Sequence, residues 1–193
     1  MGDGSTNRLF KAIEVSFPEV LLVKLPDNQG KAGAIKAGLT LIKNDYVLLM
    51  DADLENVRLE ELNRGLECFN RAQELDSLIF QNRGDNYFID HFLLRKDIVF
   101  SGKRIISKND LASVLATHPQ GFQLELAINL FLMANCRKVA WLQNSAYNPH
   151  KVKKMGFFKG MLADIRNDLS LFAYAGIGKY YYQLFFFCRR QLL

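Results

Sequence analysis

Tyr46-Val47-Leu48-Leu49-Met50-Asp51-Ala52-Asp53 is the stretch on which the fold turns. Its apolar run is short, continuous and ended abruptly by acids. Such a run reads as a central strand buried on both faces of a sheet, as in α/β proteins. If the chain stays extended through Asp51 and Asp53, residues i and i+2 point the same way. Both carboxylates would then leave the carboxyl end of one strand, the edge at which open α/β sheets bind ligands. Paired hard oxygens there suit Mg²⁺ or Mn²⁺ bridging to a diphosphate. The plainer alternative is an acidic strand-to-helix loop with an Asp as N-cap, and the tripeptide alone does not choose between the two.

The flanking sequence alternates β-rich runs with helical ones, which indicates an α/β layer architecture. Before the strand, the reading is a helix over 8–16, a strand over 20–25, a turn cluster at Pro26-Asp27-Asn28-Gln29-Gly30 and a helix over 31–43. After it come a helix over 58–75, a strand over 77–81, helices over 109–117 and 122–134, and a strand over 139–142. The stretch 88–100 is mixed. Residues 169–188 are almost wholly apolar and aromatic, interrupted by Lys179 and two glycines and closed by Arg189-Arg190. That pattern reads as one interfacial helix, or as a helix packed on the domain or on a partner chain. The division that follows is a domain over 1–168 and a C-terminal helix over 169–193.

The 193 residues are about half apolar, enough for one domain with a real core. A net charge of +5 fits an anionic partner such as a diphosphate, a lipid phosphate or an acidic membrane surface. With no arginine-rich arm, zinc-finger spacing or RNP-type aromatic motif, nucleic acid is not expected as a partner. Cys68, Cys136 and Cys188 are too few and too scattered for a disulfide framework, and a reducing compartment is the simpler reading.

Four ordered segments carry a resemblance to family 2 glycosyltransferases. Asp3-Gly4-Ser5-Thr6-Asn7 resembles the end of that family's "DDGSTD" segment. Asn28-Gln29-Gly30-Lys31-Ala32-Gly33-Ala34-Ile35-Lys36-Ala37-Gly38-Leu39 resembles its "N-x-G-K" segment. Asp51-Ala52-Asp53 matches its metal-binding D-x-D, and Gly121-Phe122-Gln123-Leu124-Glu125 resembles the later segment that brings an acid to the acceptor side. The resemblance covers about residues 3–160, with 84–118 matched only loosely.

The resemblance implies a GT-A type fold, a Rossmann-like mixed sheet with helices on both faces. It implies an inverting transfer from a nucleoside diphosphate sugar donor to a lipid-linked or glycan acceptor, with Mg²⁺ or Mn²⁺ as cofactor. Asp3 would face the nucleotide, and Lys31 would sit near the diphosphate at a helix N-terminus that also favours anions. Asp51 would approach the ribose or the metal, and Asp53 would be the main metal ligand. Glu125 would be the base for a hydroxyl acceptor, although a Glu in a first helical turn is favoured by the dipole in any case. An acceptor that is already an anion, such as a lipid phosphate, needs no base. His150-Lys151-Val152-Lys153-Lys154 would hold the leaving diphosphate through Lys151 and Lys154, and His150 would complete the metal site. A solvated charge run or a patch facing anionic lipid explains the same residues. Arg83, Arg95 and Arg104 are cations that could touch an anionic acceptor, and Trp141 reads as core.

The sequence departs from the family pattern at its start, where Gly2 stands in place of the first of two adjacent acids. The fold expected is therefore an N-terminally truncated one, short of roughly 35–40 residues, a βα unit plus a strand. An interior strand edge would be exposed, and an oligomer or a partner chain could complete the sheet. The alternative function is an inactive remnant or subunit that acts as a binding or assembly module. A nucleotidyltransferase is disfavoured by the lack of a glycine-rich phosphate loop. The expected location is cytoplasmic, peripheral at the inner face of the membrane, with the membrane surface a further partner.

Overall fold

The structure, a computed structural model, describes residues 7–82, 95–121, 123–147 and 169–192. Its strands are β1 (Tyr46–Leu49), β2 (Ser77–Phe80), β3 (Arg104–Ser107), β4 (Val139–Leu142) and β5 (Arg190–Gln191). Its helices are α1 (Asn7–Ser16), α2 (Gly30–Leu39), α3 (Leu59–Arg71), α4 (Lys96–Val99), α5 (Lys108–Leu115), α6 (Gln123–Ala134), α7 (169–175) and α8 (Ile177–Phe186). The strands form one mixed sheet in the order β1-β3-β2-β4-β5. β3 runs antiparallel to both β1 and β2, whereas β2–β4 and β4–β5 are parallel.

Alternation along each strand builds a core on each side of the sheet. Ile79 and Ile106, with Val47, Leu49, Val139 and Trp141, pack with apolar residues of α2, α5, α6 and α8. Leu78, Phe80, Ile105, Ala140 and Leu142, with Leu48, pack on Leu62 and Phe69 of α3. The result is the three-layer α/β arrangement with helices on both faces that the sequence implies.

Three expectations change. β1 is not central: it stands at the sheet edge, with Tyr46 exposed and the next three residues half-buried. Its apolar run is covered on one flank by β3, while the other borders an apolar groove of about 340 Å³ lined by residues such as Leu21, Val23, Ile35, Leu39 and Leu41. Residues 20–25 are not a strand; only Lys24 makes a bridge, and Val20 and Leu21 are exposed. Residues 169–188 are not one helix. Gly176, at φ +79, separates α7 from α8, and the chain beyond Phe187 turns back to pair β5 with β4. Arg95 holds that return, donating to the carbonyls of Phe187 at 3.1 Å and Cys188 at 2.7 Å. β3 falls in a stretch where the sequence reading assigned no strand. It is masked there because Lys103 and Arg104 break the apolar pattern although both are buried.

Candidate functional site

The site is built at the end of β1. The strand stops at Leu49, and Ala52 and Asp53 lie in a turn. Strand alternation therefore does not extend through the two aspartates, and the expectation that they leave in parallel from one extended strand does not hold. Asp51 is drawn inward, its side chain 17% exposed, whereas Asp53 is exposed on the turn. Gly102 packs directly on Asp51. A Cβ there would lie 2.4 Å from Asp51 Oδ2 and 2.7 Å from Oδ1, so only glycine allows this approach.

Lys31 enters from the first turn of α2, after Gly30 at φ +70 and a bond from the Gly30 amide to Asn28 Oδ1 at 3.0 Å. A cation at a helix N-terminus opposes the dipole. Here two carboxylates offset it: Lys31 Nζ donates to Asp51 Oδ1 at 2.6 Å and to Glu125 Oε1 at 2.6 Å. Burial is the largest single influence on Lys31 and pulls its ammonium down. The charges and hydrogen bonds of Glu125 and Asp51 together still raise it above its ordinary value.

Glu125 sits in the first turn of α6 with its side chain only 5% exposed. Its Oε2 is buried and has no hydrogen-bond partner among the described residues. One turn further along α6, Asn129 anchors the helix. It accepts from Arg104 Nη1 at 2.9 Å and donates to the Val99 carbonyl at 2.8 Å and to Gln183 Oε1 at 3.0 Å. Arg104 is fully buried, and burial lowers its pKa against the opposing charges of Glu125, Cys188 and Asp51. Neither Arg104 nor Arg95 is therefore available to an acceptor in the way the sequence left open. Arg104 secures α6, and Arg95 binds the C-terminal carbonyls.

The structure thus brings Lys31, Asp51 and Glu125 together and sets Asp53 on the adjoining turn. Asp3, Arg83, His150, Lys151 and Lys154 lie outside the described residues. Among the described residues no group of three or more His, Cys, Asp or Glu could hold a metal ion. Sequence reading missed Gly102, Lys103 and Asn129. Gly102 carried only the weak signal of a glycine before a β-run, and Asn129 that of a polar residue on an apolar helix.

Residues 2–70 match the model of the family described as glycosyl transferase family 2. The chain is 37% identical over 90 residues to the undecaprenyl-phosphate 4-deoxy-4-formamido-L-arabinose transferase of Edwardsiella ictaluri (strain 93-146), covering 45% of this chain and 27% of that protein. It is 34% identical over 86 residues to the enzyme of the same name from Klebsiella pneumoniae (strain 342), covering 45% and 26%. The chain spans about a quarter of the length of these curated relatives. Among solved structures it resembles glucosyl-3-phosphoglycerate synthase from Mycobacterium tuberculosis. The complex with Mn²⁺, UDP and glucosyl-3-phosphoglycerate gives a TM-score of 0.60 at 15% identity, covering 93% of this chain and 66% of that one. The complex with phosphoglyceric acid gives 0.56 at 16% identity, with coverage of 93% and 66%. At such identities the likeness shows the fold, that of GT-A glycosyltransferases. Residues 2–70 thus match the glycosyl transferase family 2 model, and the chain as a whole has a GT-A type fold.

Proposed function

We propose that this chain forms the donor and acceptor centre of an inverting glycosyltransferase that moves a sugar from a nucleoside diphosphate sugar to a lipid-linked acceptor. The observation that carries the reading is the Asp51–Lys31–Glu125 cluster, with 2.6 Å on each side of the ammonium, beside the turn that bears Asp53. The carboxylates fit a divalent ion of the Mg²⁺ or Mn²⁺ kind. Such an ion is held by one or two carboxylates plus substrate phosphates and does not need an all-protein cage. When bound it would supply positive charge to the leaving diphosphate. Asp53 would be its main ligand, with Asp51 and His150 contributing. Asp3 would face the nucleotide, and Lys31, Lys151 and Lys154 would bind the diphosphate oxygens.

The transfer is one displacement. An acceptor oxygen forms a bond to the anomeric carbon as the bond to the diphosphate oxygen breaks, and the electron pair leaves with the nucleoside diphosphate. A hydroxyl acceptor gives its proton to Glu125, whose unpartnered Oε2 is free to take it. A phosphate acceptor, as the names of the undecaprenyl-phosphate relatives suggest, has no such proton to lose. Glu125 then serves to hold Lys31. Glu125→Gln separates the two, abolishing transfer to a hydroxyl and sparing most transfer to a phosphate.

The test is calorimetric titration with UDP and GDP, with and without Mn²⁺, on the wild-type chain and Asp53→Asn. Metal-dependent binding that Asp53→Asn loses supports the reading. A second reading, a binding or assembly module without transfer, is favoured by the edge position of β1 and the apolar groove beside it. It would be the one left standing if neither nucleotide binds.

Peripheral contact with the cytoplasmic face of a membrane belongs to the first reading. Among the described residues no helix is long and apolar enough to cross a membrane. α8 buries Tyr180 and Leu184 and exposes Tyr181, Tyr182, Phe185 and Phe186. Residues 169–192 carry Lys179, Arg189 and Arg190 and no acid, which suits an anionic surface.

A further inference from the structure

The loop 143–147, which leaves β4, carries a buried polar cluster that the transfer chemistry does not use. Asn144 is its hub and is 2% exposed. Its Oδ1 accepts from Lys103 Nζ at 3.0 Å and from the Ala146 amide at 3.1 Å, and its Nδ2 donates to Glu61 Oε2 at 2.9 Å. The side-chain amide thus stands between a cation just before β3 and a carboxylate from α3, and uses both of its ends. Glu61 Oε2 also accepts from the Ser145 amide at 2.7 Å and from Ser145 Oγ at 2.9 Å. Lys103, 1% exposed, donates as well to the Ala146 carbonyl and, at 2.8 Å, to the Gln81 carbonyl. Well-packed apolar side chains commonly stabilise as much as such a cluster. What the cluster adds is a fixed position for the backbone at 144–147, because each buried group is costly to leave without its partner.

That backbone reaches the turn that bears Asp53. Glu55 and Tyr147 exchange main-chain bonds of 2.9 and 3.1 Å in a bridge outside the named strands. Asn56 adds a side-chain tie, its Nδ2 donating to the Ser145 carbonyl at 3.2 Å. Asn56 lies at φ +53, in the left-handed region that Asn tolerates better than most residues. Ahead of the turn, Asp51 is fixed by Lys31 and by its contact with Gly102. Behind it, the Glu55 bridge fixes the chain. Asp53 stands midway between these two points and is itself exposed. An exposed carboxylate on a turn keeps its place only as well as the supporting residues on its flanks do.

We propose that Asn144 and Asn56 are positioning residues for Asp53: the loop 143–147, held from within by Asn144 and joined to the turn at Glu55 and Asn56, sets where the Asp53 carboxylate meets a divalent ion. This role rests on the donor-site reading above.

The test titrates Mn²⁺ into the full chain saturated with UDP, or with GDP, and follows free Mn²⁺ by its electron paramagnetic resonance signal. Wild type, Asn144→Ala, Asn56→Gly and the double variant are compared, each shown to be folded by circular dichroism and thermal unfolding. Glycine adopts the left-handed conformation of residue 56 readily, so Asn56→Gly removes the side-chain tie and leaves the backbone its shape. Asn144→Ala should weaken Mn²⁺ binding about 10-fold or more, as loss of a group that orients a metal ligand does. Asn56→Gly should weaken it about 3-fold or more, the scale of one net hydrogen bond, with thermal unfolding little changed. The double variant should be no weaker than Asn144→Ala alone, because both act through one contact between loop and turn. Wild-type Mn²⁺ affinity in either folded single variant overturns the proposal, however far the unfolding temperature falls. Losses that add in the double variant overturn it too, since they mark two unrelated structural effects. Should Asn144→Ala not fold, Asn56→Gly, which leaves the buried cluster intact, decides alone. A wild-type chain that binds neither UDP nor GDP with Mn²⁺ brings down the donor-site reading itself, and this role with it.

Discussion

Asp51 is held on two sides, by a cation it can pair with and by a glycine that gives it room. Gly102→Ala would place a methyl 2.4 Å from Asp51 Oδ2 and push the carboxylate toward Lys31 or away from it. Metal-dependent nucleotide affinity should fall about 10-fold or more with the fold intact, read by titration with UDP or GDP and Mn²⁺. Lys31 is tested by pH. A lysine raised in the folded state gives stability that is complete below its unfolded value of 10.5 and is lost as pH climbs through the folded one. Lys103 behaves oppositely: lowered to about 8, it carries a burial cost that eases as pH rises from there toward 10.5. Urea unfolding across this range should therefore show stability rising between about pH 8 and 10.5 and falling above. The rise should vanish in Lys103→Met and the fall in Lys31→Met. At neutral pH Lys31→Met should cost about 1–3 kcal/mol, because it leaves Glu125 buried beside Asp51 without a donor.

At the level of elements, the decisive joints are where the chain stops being regular. β1 ends at Leu49, one residue short of its apolar run, and the turn at Ala52 and Asp53 separates Asp51 from Asp53. The apolar C-terminal stretch breaks at Gly176, which lets α8 pack Tyr180 and Leu184 into the core and send the chain back to β4. Its φ of +79 with ψ of 148 is open to glycine alone, while a Cβ would meet nothing within 4 Å. Gly176→Ala should therefore cost about 1–3 kcal/mol from backbone strain only, measured by chemical denaturation. A cost near zero would mean that the break is not required. Neither joint was legible in the sequence. An apolar run reports burial but not the neighbour that ends it, and a glycine in a helical pattern reads as tolerated until its φ is known.

For the molecule as a whole, the outward surface of α8 is the feature to test. Tyr182 and Phe186 are 54% and 62% exposed, on the side opposite the core. Tyr182→Ser with Phe186→Ser should reduce sedimentation with vesicles containing anionic lipid at least severalfold. The same double change should leave stability within about 0.5 kcal/mol for each site, as exposed positions do. Vesicle binding that the change leaves intact would place the contact elsewhere. The sequence by itself determined the α/β class, the helix that begins beside Lys31, the strand that ends before Asp51 and the helix that begins before Glu125, because each is a local pattern of period and cap. It also carried the family resemblance through the order of its motifs. Only the tertiary structure decided that Lys31 meets Asp51, 20 residues on, and Glu125, 94 residues on. It alone set β1 at the sheet edge and turned Lys103 and Arg104, polar in any sequence reading, into buried anchors. The reason is physical. Periodicity reports which face of an element is apolar, whereas partners across the sheet follow from strand order, which no local pattern encodes.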